Sequence, residues 1–259
     1  MRIKIINPTT TDSFTRKNLE AGRMVAAAGT EVISAAVESG PVSIEGHYDE
    51  AACVIGILEE IHKGEREGID GYVIACFGDP GVLAAREAAR GPVIGIAEAS
   101  MHVASIIATG FSVVTTLARS KIIVEHLVRI HGFESQCRRI RATDLEVLAL
   151  EDTGSDSYRI IVEECRRALA EDESGAILLG CAGMADIAAR ISEDIGAPVI
   201  EGVSAGVKIV EGIVALGLGT SKVGDLAYPL SKPYSGSVGH LSADRHFVPE
   251  SSARRSAAE

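Results

Sequence analysis

Tyr72-Val-Ile-Ala-Cys76-Phe-Gly78 and Ile177-Leu-Leu-Gly-Cys181-Ala-Gly183 are built alike. Each is a short apolar run ending in cysteine, then one residue, then glycine, then a stretch of helical pattern. Apolar runs of this length, bounded by turn residues, read as strands buried on both faces. The likeness extends outward. From Cys76 to Pro92 is 16 positions and from Cys181 to Pro198 is 17, and each proline opens a Pro-Val-Ile strand. Upstream, Ile5-Ile-Asn7-Pro-Thr9 and Val113-Val-Thr115-Thr116 are strands running into polar loops, 69 and 66 positions before their cysteines. Features in the same order at near-equal spacing point to an internal repeat of two α/β halves.

The remaining pattern fills in both halves. Strands are expected at 3–6, 31–36, 71–77 and 92–96, then at 111–116, 138–142, 176–181 and 198–200. Helices are expected at 12–28, 49–67, 80–89 and 99–108, then at 118–131, 157–170, 184–195 and 204–216. Strands alternating with helices give an α/β class of mostly parallel sheets. After about residue 230 the chain turns rich in Ser and Gly, which reads as a mobile tail.

Composition excludes several classes. The 259 residues carry 25 Lys plus Arg against 36 Asp plus Glu, a net charge of −11. An acidic surface repels phosphate backbones, so nucleic acid is a poor partner. Aromatics are 4% with no Trp, too few for stacking platforms. No apolar run is long enough to span a membrane, and the N-terminus reads as a strand, not a leader, which makes the cytoplasm the expected compartment. Five scattered cysteines, an odd number with no C-x-x-C pair, are neither a disulfide framework nor a zinc site. No metal is expected. Glu98 and His102, four apart, read as a helix pair or a solvated face, and His47, Asp49 and Glu50 read as a loop entering an acidic helix start.

In open parallel sheets a ligand sits beyond the carboxyl ends of the strands. Cys76 and Cys181 both fall there. Asp79 and Pro80 suit the N-cap and first turn of the following helix. A thiol beside a helix N-terminus is expected to favour thiolate. Two thiols across one cleft suit inversion of an acidic carbon: one removes the C–H proton from one face and the other delivers a proton to the opposite face. No cofactor is needed where a neighbouring carbonyl acidifies the carbon. Cys53 and Cys165, inside apolar helix faces, read as packing residues, and Cys137 as a surface or structural thiol.

Cys76-Phe-Gly-Asp-Pro-Gly81, Pro92-Val-Ile-Gly-Ile-Ala-Glu98, Phe111-Ser-Val-Val-Thr-Thr116 and Leu179-Gly-Cys-Ala-Gly-Met-Ala-Asp186 together resemble the hydantoin racemases of the Asp/Glu racemase superfamily. Gly40-Pro-Val-Ser-Ile-Glu45 and Gly217-Leu-Gly-Thr-Ser-Lys222 fit the same pattern, and the likeness runs over about residues 2–234. It implies two pseudo-symmetric α/β domains with the active site in the cleft between them, residues 1–97 plus 206–234 forming one and 98–205 the other, with 235–259 as the tail. It also implies cofactor-independent catalysis with Cys76 and Cys181 as the acid/base pair, and a homo-oligomer, a tetramer or hexamer.

Amino-acid racemases of the superfamily follow their cysteines with polar clamps for carboxylate and ammonium. Here Phe77-Gly78 and Ala182-Gly183 follow, which suits a neutral hydantoin ring held by backbone donors. Asn7, Pro8, Phe77, Gly78, Thr115, Thr116, Ala182 and Gly183 are the expected substrate contacts. The expected reaction is D/L interconversion of 5-monosubstituted hydantoins at C5. Allantoin, itself a 5-substituted hydantoin, is the nearest rival substrate. A superfamily decarboxylase, which would keep one cysteine, and a non-catalytic small-molecule binder are the readings from other classes.

Overall fold

The β-branched runs of the sequence pair into two parallel sheets of the same strand order. In the first, β1 (Arg2–Asn7), β2 (Glu31–Ala36), β3 (Gly71–Ile74) and β4 (Val93–Gly95) are ordered β2-β1-β3-β4. In the second, β5 (Phe111–Thr115), β6 (Cys137–Ala142), β7 (Ala176–Leu179) and β8 (Val199–Ile200) are ordered β6-β5-β7-β8. All six strand pairs are parallel. The helices are α1 (Asp12–Val25), α2 (His47–Glu67), α3 (Val82–Ala88), α4 (Ile96–Ile107), α5 (Lys121–Ile130), α6 (Ser155–Glu171), α7 (Ala188–Ile195) and α8 (Gly202–Ala215). The computed structural model describes residues 1–151 and 155–242. Gly236–Leu241 forms a 3-10 turn whose His240 meets Glu59 of α2 at 2.6 Å. The rest of the expected tail, 243–259, lies outside the described residues.

The repeat is visible in the hydrogen bonds. Ile6 pairs with Ile74 and Val114 with Leu179, so Asn7 and Thr115 hold equivalent strand ends. Tyr72 N–H donates to Pro92 O, and Ile177 N–H to Pro198 O, each at 2.9 Å. The positions matched in sequence are therefore matched in register.

Side chains alternate across each strand, so both sheets bury two faces. Ile3, Ile5 and Val73 of the first sheet, with Phe111, Val113 and Leu178 of the second, join one continuous core. Helices α1, α4, α5 and α8 contribute Ala21, Met101, Val124 and Val207 to it. The outer face of the first sheet, Ile6, Tyr72 and Ile74, packs on Cys53, Ile57 and Ile61 of α2. The outer face of the second, Val114, Ile177 and Leu179, packs on Ile161 and Cys165 of α6. Cys53 and Cys165 are thus packing residues. Helix α8 leaves the second sheet and packs on β3, β4 and α1, whereas α4 leaves the first sheet and packs on β7 and α5.

Several expected boundaries move. β3 and β7 stop before their cysteines, which sit in turns just past the strand ends. The helix expected from Pro80 begins only at Val82, because Asp79 (φ 47°) and Gly81 (φ 67°) break the backbone. Asp79 caps a different helix: its carboxylate accepts the N–H groups of Ala97 (3.0 Å) and Glu98 (2.9 Å), at the start of α4. A Cβ on Gly95 would sit 2.1 Å from that carboxylate. At the equivalent position of the second half stands Glu201, whose own side chain caps α8 through Val203 and Ser204 N–H (2.8 and 2.7 Å). Both halves satisfy the same orphan donors, one from across the sheet and one locally. The helix expected at 184–195 opens as a 3-10 segment, Ala182–Ile187, before α7.

Candidate active site

Each cysteine turn follows from its Cys-x-Gly sequence. The carbonyl of Cys76 accepts the N–H of Asp79 at 3.0 Å, and that of Cys181 accepts the N–H of Met184 at 3.1 Å. This tight turn folds the intervening N–H back toward the sulfur: Gly78 N–H bears on the Cys76 thiol and Gly183 N–H on Cys181. The glycine leaves room for what packs above. A Cβ on Gly78 would lie 2.1 Å from Glu50 Oε1, and one on Gly183 would lie 3.1 Å from both Leu150 and Phe14.

Both cysteines line one cleft, about 620 Å³ of empty space including its open mouth, and both are partly accessible. Of the expected contacts, Asn7, Phe77, Gly78, Thr115, Thr116, Ala182 and Gly183 line it as well. Pro8 is buried and does not line it. Asn7 is committed to its loop: its amide donates to Thr11 O (3.1 Å) and Thr15 Oγ1 (2.9 Å), and its carbonyl accepts from Thr9 N–H and Oγ1. Thr115 Oγ1 donates to Gly180 O at 3.2 Å. These bonds fix the walls of the cleft at the two strand ends.

Other lining residues were not singled out from sequence as contacts. Ile44 and Glu45 come from the Gly40–Glu45 stretch, and Glu50 from the first turn of α2. Phe14 comes from α1, and Ser120, Ile123, Val124 and Val147 from the second half. The Gly40-Pro-Val-Ser-Ile-Glu45 motif carried a signal for the first two. Glu50 and Val147 are brought in by long-range packing and have none. Glu45 Oε1 accepts the N–H of Val147 at 3.3 Å, a bond between the two halves. The acidic helix start expected at Asp49 and Glu50 is present, though α2 already begins at His47, and Glu50 also lines the cleft.

The electrostatics depart from the sequence expectation. Cys76 lies well before the first turn of α3, whereas Cys181 is the N-cap residue of the 3-10 segment Ala182–Ile187, so a dipole effect is confined to Cys181 and fades within one turn. Burial instead pushes Cys76 well above the ordinary thiol range and Cys181 up to about 11. The Gly78 and Gly183 N–H groups pull the other way. The two thiols are unequal: Cys181 has Lys17 to favour its charged form against Glu45, whereas among the described residues Cys76 has no cation beside it and Glu50 opposes its charged form. Lys17 is held beside Cys181's turn by Asp186 (3.0 Å) and the Leu150 carbonyl (2.7 Å). Glu98 and His102 take no part; Glu98 pairs with Arg86 at 2.6 Å and His102 packs edge-on against Phe133. Among the described residues no His, Cys, Asp and Glu are grouped to hold a metal ion, and no helix is long and apolar enough to cross a membrane.

The Asp/Glu/hydantoin racemase family matches residues 3–210 of the chain. A hydantoin racemase from Rhizobium meliloti is 49% identical over 236 residues, covering 91% of this chain and 98% of the relative. The structure of an allantoin racemase from Klebsiella pneumoniae superimposes with a TM-score of 0.92 at 53% identity, covering 93% of this chain and 99% of the other. That of an allantoin racemase from Pseudomonas fluorescens gives 0.87 at 34% identity, covering 91% and 100%. Two like-ordered parallel sheets, a repeated cysteine turn and full-length similarity lead to one assignment: the chain belongs to the Asp/Glu/hydantoin racemase family and is an isomerase, a racemase.

Proposed function

We propose that the protein interconverts the D and L forms of 5-monosubstituted hydantoins at C5, without a cofactor, using Cys76 and Cys181 as two bases. The observation that carries this is the Cys-x-Gly turn repeated at equivalent strand ends, with both sulfurs on one cleft. The reaction needs one thiolate and one thiol. Lys17 favours ionisation of Cys181, and burial, reinforced by Glu50, keeps the proton on Cys76. The thiolate takes the C5 proton and becomes S–H, and the C–H electron pair moves into the enolate of the adjacent ring carbonyl. The second thiol then gives its proton to the opposite face of C5 and is left as thiolate. The next turnover runs in reverse with the roles exchanged.

The ring is held by the residues at the strand ends, Asn7, Phe77, Gly78, Thr115, Thr116, Ala182 and Gly183, and the donors among them that are not already bonded, led by the Thr116 hydroxyl, stabilise charge at the enolate oxygen. Each cysteine comes with its own half, residues 1–97 with 206–234 and residues 98–205. The packing of α8 on the first sheet supports that division. Reactive thiols suit a reducing compartment, the cytoplasm, and family membership supports a homo-oligomer. Allantoin is the second reading for the substrate, favoured by the 53% identity to an allantoin racemase over nearly the whole chain.

The test is polarimetry in D2O on single enantiomers of 5-benzylhydantoin, 5-isopropylhydantoin and allantoin. The preferred substrate loses optical rotation and gains deuterium at C5. Absence of both across the panel rejects the reading, and normal racemisation by Cys76→Ala rejects the two-thiol mechanism.

A further inference from the structure

Glu50 carries an anomaly that the two-cysteine chemistry does not use. Its Oε2 accepts a hydrogen bond from His47 Nδ1 at 3.0 Å, but its Oε1 is buried with no hydrogen-bond partner. The side chain as a whole is only 16% exposed. Buried acceptors are almost always paired, because an unmade bond costs the full desolvation of the group. Oε1 is also not left over by accident of packing. It lies over Gly78, where a Cβ would approach it to 2.1 Å, so the cleft wall two residues from Cys76 is shaped around it. The neighbouring Glu45 differs: its Oε1 is occupied by Ser43 Oγ and Val147 N–H. His47 is itself stacked against His126 of α5 (ring centres 6.3 Å apart), which braces the Glu50 carboxyl.

We infer that Glu50 is a specificity-determining residue whose Oε1 accepts a ring N–H of the substrate, so that the cleft selects cyclic ureides with a free N–H beside the reacting carbon or across the ring from it. The unbonded donors of the cleft, the Thr116 hydroxyl among them, recognise C=O groups. A five-membered ureide also presents N–H donors, and Oε1 is the unfilled acceptor of a side chain that lines the cleft. The same placement sets a carboxylate near Cys76, which adds to burial in keeping that thiol protonated and ready to donate. The inference rests on the hydantoin reading and adds to it the atom that recognises the ring nitrogen.

The experiment compares kcat/KM for a parent 5-substituted hydantoin with its N1-methyl and N3-methyl derivatives, in the wild type, Glu50→Met and Glu50→Gln. Methionine keeps the bulk and removes the acceptor, whereas glutamine keeps an acceptor oxygen. A hydrogen bond to a charged group sets the scale at about 10- to 100-fold. The wild type is expected to discriminate against one N-methyl ring by that factor. Glu50→Met should bring the ratio to within about threefold, and Glu50→Gln should retain part of it. If turnover by Glu50→Met is too slow, the same ratio is read from Kd values. Full discrimination by Glu50→Met, or none by the wild type, overturns the inference while leaving the racemase reading intact. Failure of the wild type to racemise the parent ring or allantoin brings down both.

Discussion

Alkylation of the cleft thiols with iodoacetamide across pH tests whether burial or local N–H donors govern their charge. Cys181 is pushed up to about 11 by burial, against a reference of 9.0. At pH 8 about one Cys181 in a thousand is then thiolate, against about one in ten for an unshifted thiol, a hundredfold deficit. A thiolate of higher pKa is the better nucleophile, with a Brønsted slope of ~0.4–0.5, which recovers roughly tenfold over two units. Cys181 should therefore react about tenfold more slowly than a free peptide thiol at pH 8. Its rate should climb about tenfold per pH unit from 7 to 10 without a plateau. Cys76, facing Glu50 and without a lysine, should lag behind it. The assay is peptide mass spectrometry of the labelled protein, with and without substrate. Cys137, raised to about 11 by its own burial but outside the cleft, is the internal control that substrate should not protect. A Cys181 that outpaces the free thiol at pH 7 and plateaus below pH 8 would refute the reasoning, because the turn N–H and Lys17 would then outweigh burial.

Two further outcomes concern stability. Burial raises the Asp79 carboxyl to about 7 from 3.8, so the folded state holds a proton that the unfolded state releases, and its contribution is lost as pH rises through that window, by at most about 4 kcal/mol. Asp79→Asn carries no titrating group there, so its Tm should gain on the wild type steadily from pH 4 to pH 7; parallel Tm curves would discard the account. Lys4 and Glu60 form a buried ion pair at 2.7 Å beneath α2. Lys4→Met should cost about 3 kcal/mol in urea unfolding, the lower end for breaking such a pair, because Lys63 still reaches Glu60 at 2.8 Å, and racemisation should be unchanged. A loss below about 0.5 kcal/mol would show the pair to be replaceable by packing.

The amino-acid order alone determined the duplicated plan. Local hydrophobic runs, the two Cys-x-Gly turns and the Pro-Val-Ile strands are short-range signals, and they mark strand ends, register and the paired thiols wherever those strands are placed. The identity of Cys53 and Cys165 as core residues was legible for the same reason, since their neighbours along a helix are apolar. Tertiary structure decided what depends on groups distant in the chain. Glu50 and Val147 reach the cleft from remote elements, and no local pattern marks them. Asp79 looks like a cap for its own helix and caps α4 instead, because its carboxylate fills the space that Gly95 leaves. The charge on the thiols depends on tertiary structure on the same ground: a dipole can be guessed from the next helix, but desolvation is a property of everything that closes around an atom, and that is settled only when the chain has packed.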